Sequence, residues 1–188
     1  MTTIYFVRHA EPNYSNHDDL TRELTERGRM DSLLVTRFLL DKNVEAIFSS
    51  PYRRAVETIL DLANRLDLEI HRVENFRERR VGGSWIEDYS GFARRQWADF
   101  DYKLPDGESL REVQERNIAA LAEVLTDYAG KTVVIGSHGT ALSTVIHYYN
   151  PAFHYADFDR IRDVMPWVVK LTFDGFQCVA IEEINLSA

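Results

Sequence analysis

Apolar residues along this chain fall into short continuous runs and longer segments with helical spacing, and the two kinds alternate. Ile4-Tyr5-Phe6-Val7 is a run with β-branched and aromatic members, which reads as a strand buried on both faces. Residues 11–24 are polar and turn-rich. Thr25 then opens a segment whose apolar stripe, Met30, Leu33, Leu34 and Phe38, predicts a helix to about Leu40. Ala46-Ile47-Phe48 is a second short run, followed by Ala55, Ile59, Leu60, Ala63 and Leu66 at helical spacing and by a weaker strand over 68–73. Strand, helix, strand, helix implies parallel strands joined by right-handed crossovers.

Farther on, Ser109 and Glu112 form a capping box that opens a long helix with Leu121, Val124, Leu125 and Tyr128 on its inner face, and Gly130 closes it. Thr132-Val133-Val134-Ile135-Gly136 is the clearest strand, and a helix from about Thr140 to Tyr149 follows, ended by Asn150-Pro151. The tail reads as two strands, 167–173 and 176–184, joined by an Asp174-Gly175 turn. Residues 76–107 are irregular, with Gly82, Gly83 and Gly91 among Trp85, Tyr89, Phe92, Trp97, Phe100 and Tyr102, and predict one short helix near 92–99. The expected architecture is α/β: a three-layer α/β/α sandwich around a mostly parallel sheet, with a C-terminal hairpin and an aromatic-rich excursion over the carboxyl edge of the strands. All of 1–188 is expected to form one domain.

Candidate chemistry gathers where the runs end. Val7-Arg8-His9, Ser49-Ser50-Pro51-Tyr52-Arg53-Arg54 and Ser137-His138-Gly139 each finish an apolar strand with small, cationic or imidazole side chains. In open α/β sheets ligands bind at the carboxyl ends of the strands. Parallel strands would set the three ends side by side, with two imidazoles, two or three guanidiniums and a helix N-terminus on one edge, the inventory of a phosphate pocket. A lone histidine or arginine at a strand end is ordinarily structural or solvated, so it is the coincidence of the three ends that carries weight. His17, His71, His147 and His154 show no such placement, and the spacing of the histidines does not suit a metal site.

Composition narrows the partners. The formal charge is −8, with acidic residues spread along the chain, which weighs against nucleic acid or an anionic membrane. An anionic substrate must then be held by a few well-placed arginines against the overall field. The one cysteine, Cys178, excludes an intramolecular disulfide and a thiolate zinc cluster and reads as a packed core thiol. The N-terminus offers four apolar residues in a row, too few for a signal peptide, and no run approaches the ~20 residues of a membrane span. The expected location is cytoplasmic.

Arg8-His9-Ala10-Glu11 after a first strand, Ser49 to Ala55 after a second, Glu78 before Gly82-Gly83-Ser84-Trp85, Gly107-Glu108-Ser109, and Ser137-His138-Gly139 after a later strand resemble the histidine phosphatase superfamily of phosphoglycerate mutases and related phosphatases. The motifs run in family order over most of the chain. The resemblance implies that His9 is the nucleophile taking a phosphoryl group. It makes Arg8, Arg54 and His138 the clamp on its oxygens, and Glu78 the proton donor to the leaving group. Arg54 is chosen over Arg53 because it directly precedes Ala55; without the resemblance, Glu78 reads as a solvated loop carboxylate. Ala10 replaces the family's common glycine, and Asn13 and Asn16 compete for an asparagine often found after the nucleophile. The stretch after Glu78 is shorter than in the glycolytic mutases, and Arg94-Arg95 lies too close to Glu78 to match their paired arginines. The expected function is therefore a metal-independent phosphomonoesterase acting on a small phosphorylated metabolite through a phosphohistidine, with no cofactor and no metal. A phosphoglycerate-type mutase and a non-catalytic anion-binding or scaffold protein are the alternatives, and self-association as a homodimer is left open.

Overall fold

The computed structural model describes residues 1–186. Its centre is a six-stranded sheet in the order β3-β2-β4-β1-β5-β6, formed by β1 (Thr2–Arg8), β2 (Ala46–Ser49), β3 (Ile70–Arg72), β4 (Thr132–Ser137), β5 (Trp167–Asp174) and β6 (Gln177–Ile184). The first four are parallel; β5 pairs antiparallel with β1, and β6 antiparallel with β5. The sheet is thus mostly parallel with an antiparallel C-terminal hairpin. Among the described residues no helix is long and apolar enough to cross a membrane.

Alternation along β1 builds a core on each face of the sheet. Tyr5 and Val7 pack with α1 (Glu26–Leu39) and α2 (Arg53–Leu66) through Val35, Leu39, Ile59 and Leu62. Ile4 and Phe6 face the other way, toward Leu121 and Val124 of α4 (Leu110–Asp127), Leu142 and Val145 of α5 (Gly139–Tyr149) and Trp97 of α3 (Tyr89–Ala98). A short α6 (Tyr155–Ile161) completes this layer with Phe158 and Ile161.

Local capping sets the helix boundaries. The Thr25 side chain accepts the Gly28 N–H at the start of α1, and the reciprocal Ser109–Glu112 box opens α4. The stripe of α1 differs from its sequence pattern. Met30 and Leu33 are exposed, and the buried face is Gly28, Ser32, Val35, Thr36 and Leu39. Small residues win there because α1 packs closely on α2 and on the Glu11 backbone, and a Cβ on Gly28 would stand 2.2 Å from the Glu11 carbonyl oxygen. Leu60 of α2 is likewise exposed, with Leu62 inside. The hairpin turn is Gly175-Phe176, one residue later than the composition suggests, because Asp174 pairs with Gln177 and the glycine takes the positive φ of 57° that the tight turn requires. Cys178 is half-buried on edge strand β6 and packs against the margin of the core, since only one face of that strand is covered. Helix α6 has no counterpart in the sequence expectations; seven residues are too few for a periodic signal.

Candidate active site

Register brings the three strand ends together. Arg8 lies opposite Ser137, and Val7 and Ser49 both pair with Gly136, so β1, β4 and β2 finish at one level. His9 follows at once: its N–H donates to the Ser137 carbonyl at 3.1 Å, and the Ser50 N–H donates to the Gly136 carbonyl at 2.9 Å. The His9 Nδ1 lies 2.8 Å from the Ala10 carbonyl oxygen. A carbonyl only accepts, so Nδ1 carries the proton and Nε2 of the neutral ring keeps its lone pair. The Ala10 methyl is fully buried, and its N–H donates to Thr58 Oγ1 at 3.0 Å.

The His138 ring lies edge-on to His9, with centroids 5.3 Å apart. Its Nε2 is 2.7 Å from Ser50 Oγ, and its buried Nδ1 has no hydrogen-bond partner among the described residues. Burial, followed by the positive charges of Arg54 and Arg8, pushes the His9 pKa well below the ordinary imidazole value. Burial, followed by Arg54, does the same to His138. Both rings are therefore neutral at neutral pH.

The guanidiniums are held by oxygens of nearby loops. Arg8 Nη1 donates to the Ile161 and Val164 carbonyls at 2.6 and 3.1 Å, and Nη2 to the Arg162 carbonyl at 2.9 Å, so the unforeseen α6 is the seat of the first cation. A Cβ on Gly139 would stand 3.0 Å from Arg8 Nε, which explains the hydrogen side chain at that position. Arg54 Nη1 donates to the Asp19 carbonyl at 2.7 Å and Nη2 lies 3.3 Å from the Asp19 carboxylate, while Arg53 points outward to Glu57. Arg22, which the sequence pattern did not single out, is 8% exposed and shares Asp19 at 3.0 Å. Its place depends on the path of the 11–24 loop, tied back by the Pro12–Leu24 bridge, and nothing in the local pattern announces it. Asn13 and Asn16 both donate to Glu23, whose pKa their bonds hold down to about 2, and neither lines the cavity.

Glu78 is not a free loop carboxylate. It accepts the N–H groups of Thr140 and Ala141 at 3.0 Å each, and that of Arg79 at 2.8 Å, so it sits on the positive end of α5. Arg8, His9, Arg54 and Glu78 all line one cavity of about 830 Å³, with the His138 ring edge-on to His9. Six arginines face this cavity (8, 22, 54, 79, 80 and 162) against Asp19, Glu78 and Asp163, which reverses the sign of the whole chain's charge. The excursion supplies a wall: Trp85 stacks on His17 at 4.6 Å, which brings a histidine of the polar loop into the lining. Phe92 and Trp97, by contrast, are buried packing residues. Among the described residues no three His, Cys, Asp or Glu side chains come together as a cation site.

Such an edge can bind a tetrahedral anion and offer it a neutral imidazole nitrogen and a carboxyl group. Among proteins of similar sequence, "Phosphoserine phosphatase 1" of Hydrogenobacter thermophilus is 30% identical over 155 residues, covering 73% of this chain and 71% of its own. A Salmonella arizonae protein named "Probable phosphoglycerate mutase GpmB" is 29% identical over 159 residues, covering 78% and 74%. Among solved structures, Bacillus stearothermophilus YhfR superposes with a TM-score of 0.77 at 25% identity over 99% of both chains. The family model described as histidine phosphatase superfamily (branch 1) matches residues 4–185, and this chain belongs to that family.

Proposed function

We propose that this protein is a metal-independent phosphomonoesterase that transfers the phosphoryl group of a small substrate to His9 and then to water. The observation that carries the reading is a buried, neutral His9 whose Nδ1 proton is committed to a carbonyl, leaving Nε2 bare within the field of the Arg54 and Arg8 cations. In the first step the Nε2 lone pair forms a bond to phosphorus, the bond to the ester oxygen breaks, and the departing alkoxide takes a proton from Glu78. In the second, water loses a proton to Glu78 as it attacks phosphorus, the phosphorus–nitrogen bond breaks, and His9 is restored. Charge on the transferring group spreads over its equatorial oxygens, where Arg8, Arg54, Arg22 and a His138 Nδ1–H would meet it. His138 can hold that proton because the Ser50 hydroxyl, 2.7 Å away, can donate to Nε2.

Hydrolysis is favoured over return of the group to substrate because Arg94 and Arg95 are exposed and lie outside the cavity lining; the Arg94 guanidinium rests over the Tyr155 ring. Rapid quenching with labelled phosphomonoester should give acid-labile label on His9 in wild type and none in His9→Ala, with activity retained in chelator. Label on any other residue refutes the mechanism.

A further inference from the structure

Glu78 belongs to a stretch, residues 77–88, with neither helix nor strand, so its backbone groups must find their partners elsewhere. One ion pair supplies them. Arg116 of α4 uses all five N–H donors of its guanidinium. Nε and Nη2 grip the Glu108 carboxylate at 2.9 and 3.1 Å, Nη1 donates to the Asn75 and Arg77 carbonyls at 2.9 and 2.8 Å, and Nη2 also donates to the Glu78 carbonyl at 3.1 Å. Glu108 is as fully committed. Its Oε1 also accepts from Arg77 Nη2 at 2.7 Å, its Oε2 accepts the Arg80 N–H at 2.9 Å, and its own N–H donates to the Arg80 carbonyl at 2.7 Å.

The pair therefore holds the chain on both sides of Glu78, while the Thr140 and Ala141 N–H groups hold the carboxylate itself. Glu108 and Arg116 are both largely buried, and neither lines the cavity. A lysine at 116 would bring the charge on a single point with three donors, too few to bind a carboxylate in a fork and three carbonyls as well. The Arg116 charge also acts on His138, behind burial, Arg54 and His9, so the informative change is one that keeps the charge and removes the fork.

We propose that the Glu108–Arg116 pair positions the proton donor, clamping the backbone on both sides of Glu78 so that its carboxyl meets the departing oxygen. The proposal rests on the phosphatase reading above, in which Glu78 protonates the leaving group. A proton donor has to lie within about 2.6–3.2 Å of the atom it serves, and a displacement of about 1 Å costs on the order of 10²-fold.

Arg116→Lys, assayed on an alkyl phosphate and on p-nitrophenyl phosphate, tests this. Its kcat on the alkyl ester should fall roughly 10–100-fold with KM little changed, and its kcat on the nitrophenyl ester, whose leaving group needs no proton, should fall far less. In a Glu78→Gln background the same change should cost little further on the alkyl ester, because the group it positions is gone. Equal losses on the two esters, or an equal factor in both backgrounds, overturns the positioning role and leaves the phosphatase reading intact. If Arg116→Lys melts below the assay temperature, Glu108→Gln/Arg116→Met, which removes both charges together, takes its place under the same criteria. If Glu78→Gln itself loses equally on both esters, or wild type turns over no phosphomonoester, the reading of Glu78 as proton donor fails instead. Amide NMR then decides the clamp: the Thr140 and Ala141 N–H resonances, which report the bonds to the Glu78 carboxylate, should shift in Arg116→Lys, and unmoved resonances overturn it.

Discussion

Lowering the pH from 7.5 to 5.5 should weaken this fold through its two buried imidazoles. Burial and the neighbouring arginines depress the native pKa values of His9 and His138, whereas in the unfolded chain both titrate near the ordinary value of about 6.5. Below that value the unfolded state binds more protons than the native state, so stability falls as pH falls. An imidazole that stays neutral in the native state contributes a loss of about 1.4 kcal/mol at pH 5.5, and two contribute about 2.7 kcal/mol, against a total stability on the order of 5–15 kcal/mol. The carboxylates with depressed values, such as Glu108 held by Arg116 and Glu23 held by the two asparagines, act in the same direction but at lower pH, so the interval from 7.5 to 5.5 isolates the histidines. Urea unfolding at fixed ionic strength measures the drop, and His138→Asn should shrink it by about 1.4 kcal/mol. A variant that loses as much stability as wild type over this interval would show that His138 titrates alike in both states, and the electrostatic account of the pocket would fail.

Glu78→Gln should cut kcat on alkyl phosphates by roughly 10²–10⁴-fold and far less on p-nitrophenyl phosphate, whose leaving group needs no proton; comparable losses on both would remove Glu78 from the acid role. Gly139→Ala would press a methyl on an Arg8 guanidinium that three carbonyl bonds hold in place, so stability should fall by about 1–3 kcal/mol with kcat/KM falling as well; thermal melts and steady-state assays check it. Ser109→Ala removes one half of a capping box far from His9 in sequence and should cost about 1 kcal/mol in denaturant unfolding with little change in kcat.

The sequence by itself determined the sheet's central strands, their helices, and the three ends that carry Arg8, His9, Arg54 and His138. It could do so because continuous apolar runs and 3.6-residue periodicity are local signals, and parallel connectivity then leaves few places for the ends to lie. Glu78 was legible only through its motif, since the α5 N–H groups that hold it come from a segment some sixty residues away. The tertiary structure alone decided four things. It turned α1 to bury Ser32 and Thr36 in place of Met30, and made the C-terminal carbonyls of α6 the seat of Arg8. It also brought Arg22 and His17 from a polar loop to the cavity, and buried Arg79 against Gln96 and Tyr89. Each depends on which surfaces meet across long stretches of chain, and close packing, not periodicity, makes that choice.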